Sequence, residues 1–174
     1  GHYLEESHAC SSFALVDPDN RRPVDFAGAA ASLAELATSA ADVVRGEMLG
    51  SWQDGRNKQF VTWKLLQLRG QYPQLFAQGD CEPLQVSGDR KEHVLAFARK
   101  NAGLCVIVIV TRWPARLMRG ELAAPVGEVW GDTAVCATPR CAFGDMSNVF
   151  TGQAVTAVLK EEVSMLQLAD VLAL

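Results

Sequence analysis

The feature that most constrains this chain is a change of sequence period at Tyr72-Pro73. Before it, from about Lys58 to Gln71, the spacing predicts a helix. Val61, Leu65, Leu68 and Tyr72 form one apolar stripe by steps of four, three and four. Phe60 and Trp63 lie off that stripe and make a second apolar surface. A helix apolar on two sides is normally held between two layers. Little sequence precedes it, so a neighbouring body is expected beyond this chain. An earlier helix is predicted from Phe26, Ala29, Ala30, Leu33, Leu36 and Ala37, with Asp25 as its cap. A further short one is read over Ala40 to Leu49, and Gln53-Asp54-Gly55 reads as a turn.

Beyond Tyr72-Pro73, Leu75 to Asp80 reads as a turn-rich connection. Short strand signals follow: Leu84 to Val86, His93 to Arg99, Cys105 to Thr111, Thr133 to Cys136 and Val155 to Leu159. Gly88-Asp89, Asn101-Ala102-Gly103, Gly131-Asp132 and Phe150-Thr151-Gly152 punctuate them. Trp113 to Gly120 reads as a helical insert or a loop, and Glu162 to Leu174 as a final helix or strand. The expected class is α+β, with N-terminal helices over residues 1–80 and an antiparallel β-sandwich domain over 81–174.

Length and charge exclude several functions. With 174 residues the chain is too short for a whole (β/α)₈ barrel. Its net charge of −4 argues against a nucleic-acid partner, which needs a basic face. The most apolar run, Leu104 to Val110, is far shorter than the ~20 residues of a spanning helix, so no membrane partner is expected. The N-terminus shows no basic-then-apolar export pattern. The cysteines, Cys10, Cys81, Cys105, Cys136 and Cys141, are scattered with no C-x-x-C pair. Reduced thiols in a cytoplasmic protein are therefore expected, with no metal site and no cofactor. Cys105 lies in the apolar strand and reads as a small core residue.

No catalytic set is legible. His2 and His8 sit in an unpatterned terminus, and His93 reads as a rim residue at the start of a strand. No G-x-S-x-G elbow, P-loop, G-x-G-x-x-G or H-E-x-x-H is present. The densest polar cluster runs from Asp17 through Asp19, Asn20 and Arg21 to Arg22. Carboxylate, amide and guanidinium together suit a sugar edge. A loop held by Asp–Arg pairs and Asx turns explains them equally well, and composition alone favours it. Arg56 and Lys58 form a second cluster at the helix entry, either near a substrate or simply solvated. Trp52, Trp63, Trp113 and Trp130 suit stacking on sugar rings, though packing is the commoner fate.

Several of these segments carry a resemblance. Leu15 to Phe26 (LVDPDNRRPVDF) and Trp52 to Thr62 (WQDGRNKQFVT) resemble two stretches of the maltooligosyl trehalose synthases, intramolecular transglucosylases of the α-amylase superfamily. Leu65 to Arg69, Leu75 to Asp80, Glu92 to Arg99, Val129 to Thr133 and Val149 to Gly152 fit in order. The departures are residues 1–12, Asn57 in place of an aliphatic, Cys81 in place of an aromatic, and the C-terminal ending.

The resemblance implies the C-terminal region of a much longer enzyme. That enzyme turns the reducing-end α-1,4 linkage of a maltooligosaccharide into an α,α-1,1 linkage, with retention, using an Asp nucleophile and a Glu acid–base about 5 Å apart. Both carboxylates lie on barrel strands outside this chain, so no catalytic residue is expected here. Residues 58–71 would be the last barrel helix. Asp19, Asn20, Arg21 and Lys58 would help shape the sugar site. The missing barrel is the expected partner, and exposed helices would drive self-association. The rival expectation is a self-standing β-sandwich that binds carbohydrate or another protein. A small cysteine-dependent enzyme ranks lower, since no Cys–His arrangement is visible.

Overall fold

The computed structural model describes residues 25–38, 55–121, 123–160 and 162–172. The chain divides into two compact units, Gly1–Gln67 and Leu68–Leu174. The class is α+β. The segment Ala40 to Leu49, the loop around Asp19, Asn20 and Arg21, and Trp52 lie outside the described residues.

In the first unit, α1 spans Phe26–Thr38 and α2 (Arg56–Gln71) begins. Asp25 caps α1 as expected, its Oδ1 accepting the Gly28 N–H at 2.9 Å. At the other end the Thr38 hydroxyl donates to the carbonyls of Ala34 and Glu35, both at 3.1 Å. Gly55 enters α2 at φ +80°, where a glycine is the natural residue. Two polar contacts tie the helices: Arg56 Nη2 donates to Glu35 Oε2 at 3.0 Å, and Gln59 Nε2 to the Ala29 carbonyl at 2.7 Å. Leu36 and Phe60 are buried, whereas Phe26, Leu65 and Leu66 are exposed. This revises which side chains form the open apolar surface. Phe60, expected on it, lies inside the unit, while Leu65 of the expected stripe faces out.

The second unit opens with α3 (Pro73–Gln78). This helix replaces the expected turn-rich connection. Pro73 stands in its first turn, where its fixed φ suits a helix and its missing N–H costs nothing. Arg99 then binds carbonyls at the end of the helix, Nε donating to Leu75 O at 2.9 Å, which also accepts the Gly79 N–H, and Nη2 to Phe76 O at 2.6 Å.

The strands follow: β1 (Asp80–Pro83), β2 (Val86–Ser87), β3 (Val94–Asn101), β4 (Leu104–Thr111) and β5 (Ala134–Cys136). After them come β6 (Met146–Ser147), β7 (Ala154–Val155), β8 (Val158–Lys160) and β9 (Val163–Gln167). All pairings are antiparallel: a three-stranded sheet β1-β3-β4, a four-stranded sheet β2-β5-β9-β8, and a β6–β7 hairpin. Short helices α4 (Pro114–Leu117) and α5 (Leu168–Val171) complete the unit.

Three strand expectations change in detail. The strand read over Leu84 to Val86 is a crossing between sheets. Leu84 N–H still donates to Ala96 O of the first sheet at 2.9 Å, while Val86 already pairs with Val135 of the second. The strand read over Val155 to Leu159 divides into β7 and β8. The last segment, open between helix and strand, is both: β9 leads straight into α5.

One core serves both sheets. Val94, Ala96 and Ala98 point inward from β3, while Leu95 between them is 54% exposed, the period of two that a sheet with one covered face requires. Val135 and Leu166 enter the same cluster from the second sheet, with Leu168 of α5 and fully buried Trp130. The Trp130 indole N–H donates to Pro125 O at 2.8 Å, so the largest buried side chain leaves no donor unpaired.

Two glycines with positive φ give a test. Gly88 (φ +93°) lies so close to the next strand that a Cβ would stand 2.6 Å from Thr133 Cα. Gly103 (φ +82°) sits in the β3–β4 turn with open space around it. Gly103→Ala is expected to cost about 1 kcal/mol from backbone strain alone. Gly88→Ala adds a backbone clash and should cost roughly 2–4 kcal/mol. Urea unfolding of the two variants checks the order; equal losses would contradict the close approach of Gly88 to Thr133.

Candidate functional site

At the open end of the three-stranded sheet, a polar network brings together residues far apart in sequence. Glu82 stands on β1 and Lys100 on β3, with side chains only 19% and 24% exposed. Lys100 Nζ donates to Glu82 Oε2 at 2.5 Å and to Arg140 O at 2.6 Å. The Thr138 hydroxyl donates to Glu82 Oε1 at 2.5 Å. A tight turn from Thr138 to Cys141 is thereby fastened to the sheet. Beside it lies a cleft of about 490 Å³, lined among others by Asp80, Lys100, Cys105, Arg140 and Cys141.

The electrostatics make Glu82 and Lys100 fixed charges rather than proton carriers. The Lys100 hydrogen bond, then that of Thr138, holds the Glu82 carboxyl below its usual range. The Glu82 hydrogen bond holds the Lys100 ammonium above its own. Neither is tuned to trade protons near neutral pH. Cys105 behaves differently: partial desolvation of its sulfur first, then its hydrogen bond with Cys141, pushes the thiol up to about 11.

Two sequence readings need correcting here. Cys105 is exposed rather than core: it is the second residue of β4, at the margin of the sheet, although its Sγ lies against Cys141. His93 is not a rim residue but is 5% exposed. Its Nδ1 lies 3.2 Å from Arg112 O, its Nε2 lies 3.4 Å from Glu92 Oε1, and its ring meets Trp113 edge-on. These contacts fit a packing role.

Of the expected sugar-site residues, Lys58 lies exposed in the first turn of α2. Asp19, Asn20 and Arg21 fall outside the described residues, so the four are not brought together here. Among the tryptophans, Trp130 is buried and Trp113 is 51% exposed, with the Arg112 guanidinium 4.1 Å from its ring centre. Among the described residues, no group of three or more His, Cys, Asp or Glu is placed to hold a metal ion. Among them, too, no helix is long and apolar enough to cross a membrane. The Glu82–Lys100–Thr138–Cys141 network is not legible in the sequence. Glu82 is 18 residues from Lys100 and 56 from Thr138, and no local motif links them.

The network's pH dependence can be tested. Glu82 contributes stability above its unfolded value near 4.5 and loses it as pH falls through its lowered folded value. Lys100 contributes below 10.5 and loses it as pH rises through its raised folded value. Glu82→Gln is therefore expected to lower the melting temperature at pH 7 and to flatten its fall between pH 5 and 3. An acid limb as steep in the variant as in the unsubstituted chain would mean that Glu82 does not carry it.

No family model matches the chain. Two curated relatives, from two strains of Mycobacterium tuberculosis and each named "Putative maltooligosyl trehalose synthase", are 34% identical over 105 residues. That match covers 60% of this chain and 11% of each relative. A solved mutant of maltooligosyltrehalose synthase from Arthrobacter ramosus is similar in structure, with a TM-score of 0.56 and 29% identity. That similarity covers 90% of this chain and 17% of the solved one. The chain thus spans only a small part of its relatives' length. In both sequence and fold it is similar to maltooligosyl trehalose synthases, and the partial match fits the C-terminal region to which the sequence motifs point.

Proposed function

We propose that this chain is the C-terminal part of a cytoplasmic maltooligosyl trehalose synthase. Its parent isomerises the reducing end of a maltooligosaccharide, replacing an α-1,4 linkage by an α,α-1,1 linkage. The observation that carries this reading is the agreement of fold and sequence on one enzyme: the structural likeness extends over 90% of the chain. The motif blocks, from the LVDPDNRRPVDF run onward, add to it in chain order.

On this reading the reaction proceeds with retention. An Asp on the absent barrel attacks the anomeric carbon while a Glu protonates the leaving oxygen. The released glucose stays bound, turns, and attacks through its anomeric hydroxyl. Keeping it in place requires a site closed to water. This chain's contribution is structural and positional. Asp19, Asn20 and Arg21 offer hydrogen bonds to sugar hydroxyls from a loop, and Lys58 adds a cation at the entry of α2. The exposed Phe26, Leu65 and Leu66 give the first unit an apolar surface for the barrel or, without it, for a second copy of the chain. A free-standing sugar-binding module is less well supported. Such a module needs open aromatic faces, and the Trp113 ring already carries the Arg112 guanidinium.

Incubated alone with maltopentaose, the purified chain is expected to release neither trehalose-ended product nor glucose. Appreciable turnover by pure chain would overturn the reading.

In the full-length enzyme, Arg21→Ala should lower turnover or raise the fraction of free glucose released. Stability should change by less than about 0.5 kcal/mol if the side chain serves the site and not the packing. The competing role is structural, with Arg21 paired to a neighbouring Asp. It predicts a clear drop in melting temperature and an unchanged product ratio, so both quantities are to be measured on the same protein.

A further inference from the structure

The cysteine pair beside the cleft takes no part in the proposed reaction. Cys105 is the second residue of β4, in register with Lys100. Cys141 is 3% exposed and closes the turn whose backbone bonds join Thr138 and Cys141 in both directions, at 3.0 and 3.1 Å. The Thr138 hydroxyl also accepts the Cys141 N–H, at 3.0 Å. Because Thr138 is held by Glu82 and the neighbouring Arg140 carbonyl by Lys100, the turn cannot drift from the sheet without breaking charge-assisted bonds. The two Sγ atoms stand 3.6 Å apart. A disulfide needs about 2.05 Å, a gap that modest side-chain rotation closes. The two thiols also differ in access. Both line the open cleft, but Cys105 is exposed whereas Cys141 is buried.

We propose that Cys105 and Cys141 form a reversible thiol–disulfide site, oxidised by a low-molecular-weight disulfide of the glutathione type. The Cys105 thiolate attacks one sulfur of that disulfide and expels one glutathione thiolate. The Cys141 sulfur then attacks Cys105 Sγ and expels the second. Two protein thiols lose two electrons and two protons in all; one external disulfide becomes two thiols. The bond ties the β3–β4 hairpin to the Thr138–Cys141 turn and closes a loop of 36 residues. Since Cys105 is pushed up to about 11, few molecules carry its thiolate at neutral pH. The site is therefore slow to oxidise at pH 7 and faster in alkali. It does not depend on the enzymatic reading.

The reduced full chain, equilibrated with mixtures of oxidised and reduced glutathione and quenched in acid, provides the test. Peptide mapping is expected to give one Cys105–Cys141 crosslink and the loss of two hydrogens. The melting temperature should rise by roughly 5–15 °C, and dithiothreitol should reverse the rise. The rate should climb about tenfold per pH unit from pH 7 to 9. Cys141→Ser should trap glutathione on Cys105. Exposed Cys81 on β1 serves as the accessibility control. A lasting glutathione adduct on Cys105 in the unsubstituted chain would overturn the proposal. So would a crosslink from Cys105 to any other cysteine, or both thiols staying reduced while Cys81 is loaded. Each of these is read on the unsubstituted chain, so the test stands even where the variant fails to fold.

Discussion

Thr133 is the joint on which the second unit depends. It is fully buried, yet every polar group it brings inside finds a partner. Its N–H donates to Trp130 O at 3.0 Å, its hydroxyl accepts from Arg90 N–H at 3.0 Å, and its carbonyl accepts from Leu168 N–H at 3.0 Å. One residue thus joins the turn after Trp130, the turn between β2 and β3, and the start of α5. An unpaired buried hydroxyl or amide would cost on the order of 1–3 kcal/mol, so the three bonds must form together or the strands must part. That closeness requires Gly88, since any side chain there would meet the Thr133 backbone.

From that joint the register of the four-stranded sheet follows. Ala134 and Val135 leave Thr133 to pair with Gln167 and Leu166 on one side, while Val135 meets Val86 on the other. The crossing at Leu84 and Gln85 carries the chain from one sheet to the other. Gln85 O accepts Cys136 N–H at 2.9 Å, so the crossing itself is paired with the second sheet. The Glu82–Lys100–Thr138 network then pins the far end of the first sheet, and Arg99 holds α3 against β3.

What the sequence disclosed follows from what is local. Asp25 with Phe26, Leu33 and Leu36 is a complete local message, so α1 is legible. The long hairpin is too, because Ala102 and Gly103 both take positive φ between matched apolar runs. Three features stay hidden because their causes are distant. The α3 carbonyls are satisfied by Arg99, more than twenty residues on. Leu84 looks like a strand residue because its burial is that of one, but its neighbours belong to two different sheets. Cys105 carries the alternation of a core position, but its place at the margin of β4 leaves it exposed. For the sugar site the sequence speaks through resemblance alone. Asp19, Asn20 and Arg21 fall in a polar, proline-punctuated stretch whose composition also suits simple solvation, and Lys58 is an exposed residue of a helix entry.

On the proposed reading, the two demands of the parent's reaction are divided between different parts of the enzyme. A retaining transglucosylase must hold two carboxylates near 5 Å and keep water out while glucose turns. The first demand is met by rigid barrel strands. The second falls on loops, which hold their shape only when something stiff stands behind them. A sheet pair with a shared core, a paired crossing and fixed charges at its open end is stiff in this sense. Its Glu82 and Lys100 stay charged across the neutral range, so the end of the sheet that they pin does not loosen as pH drifts. What a backing body needs is that its buried polar atoms stay paired, and the Thr133 joint and the Glu82 network meet that condition.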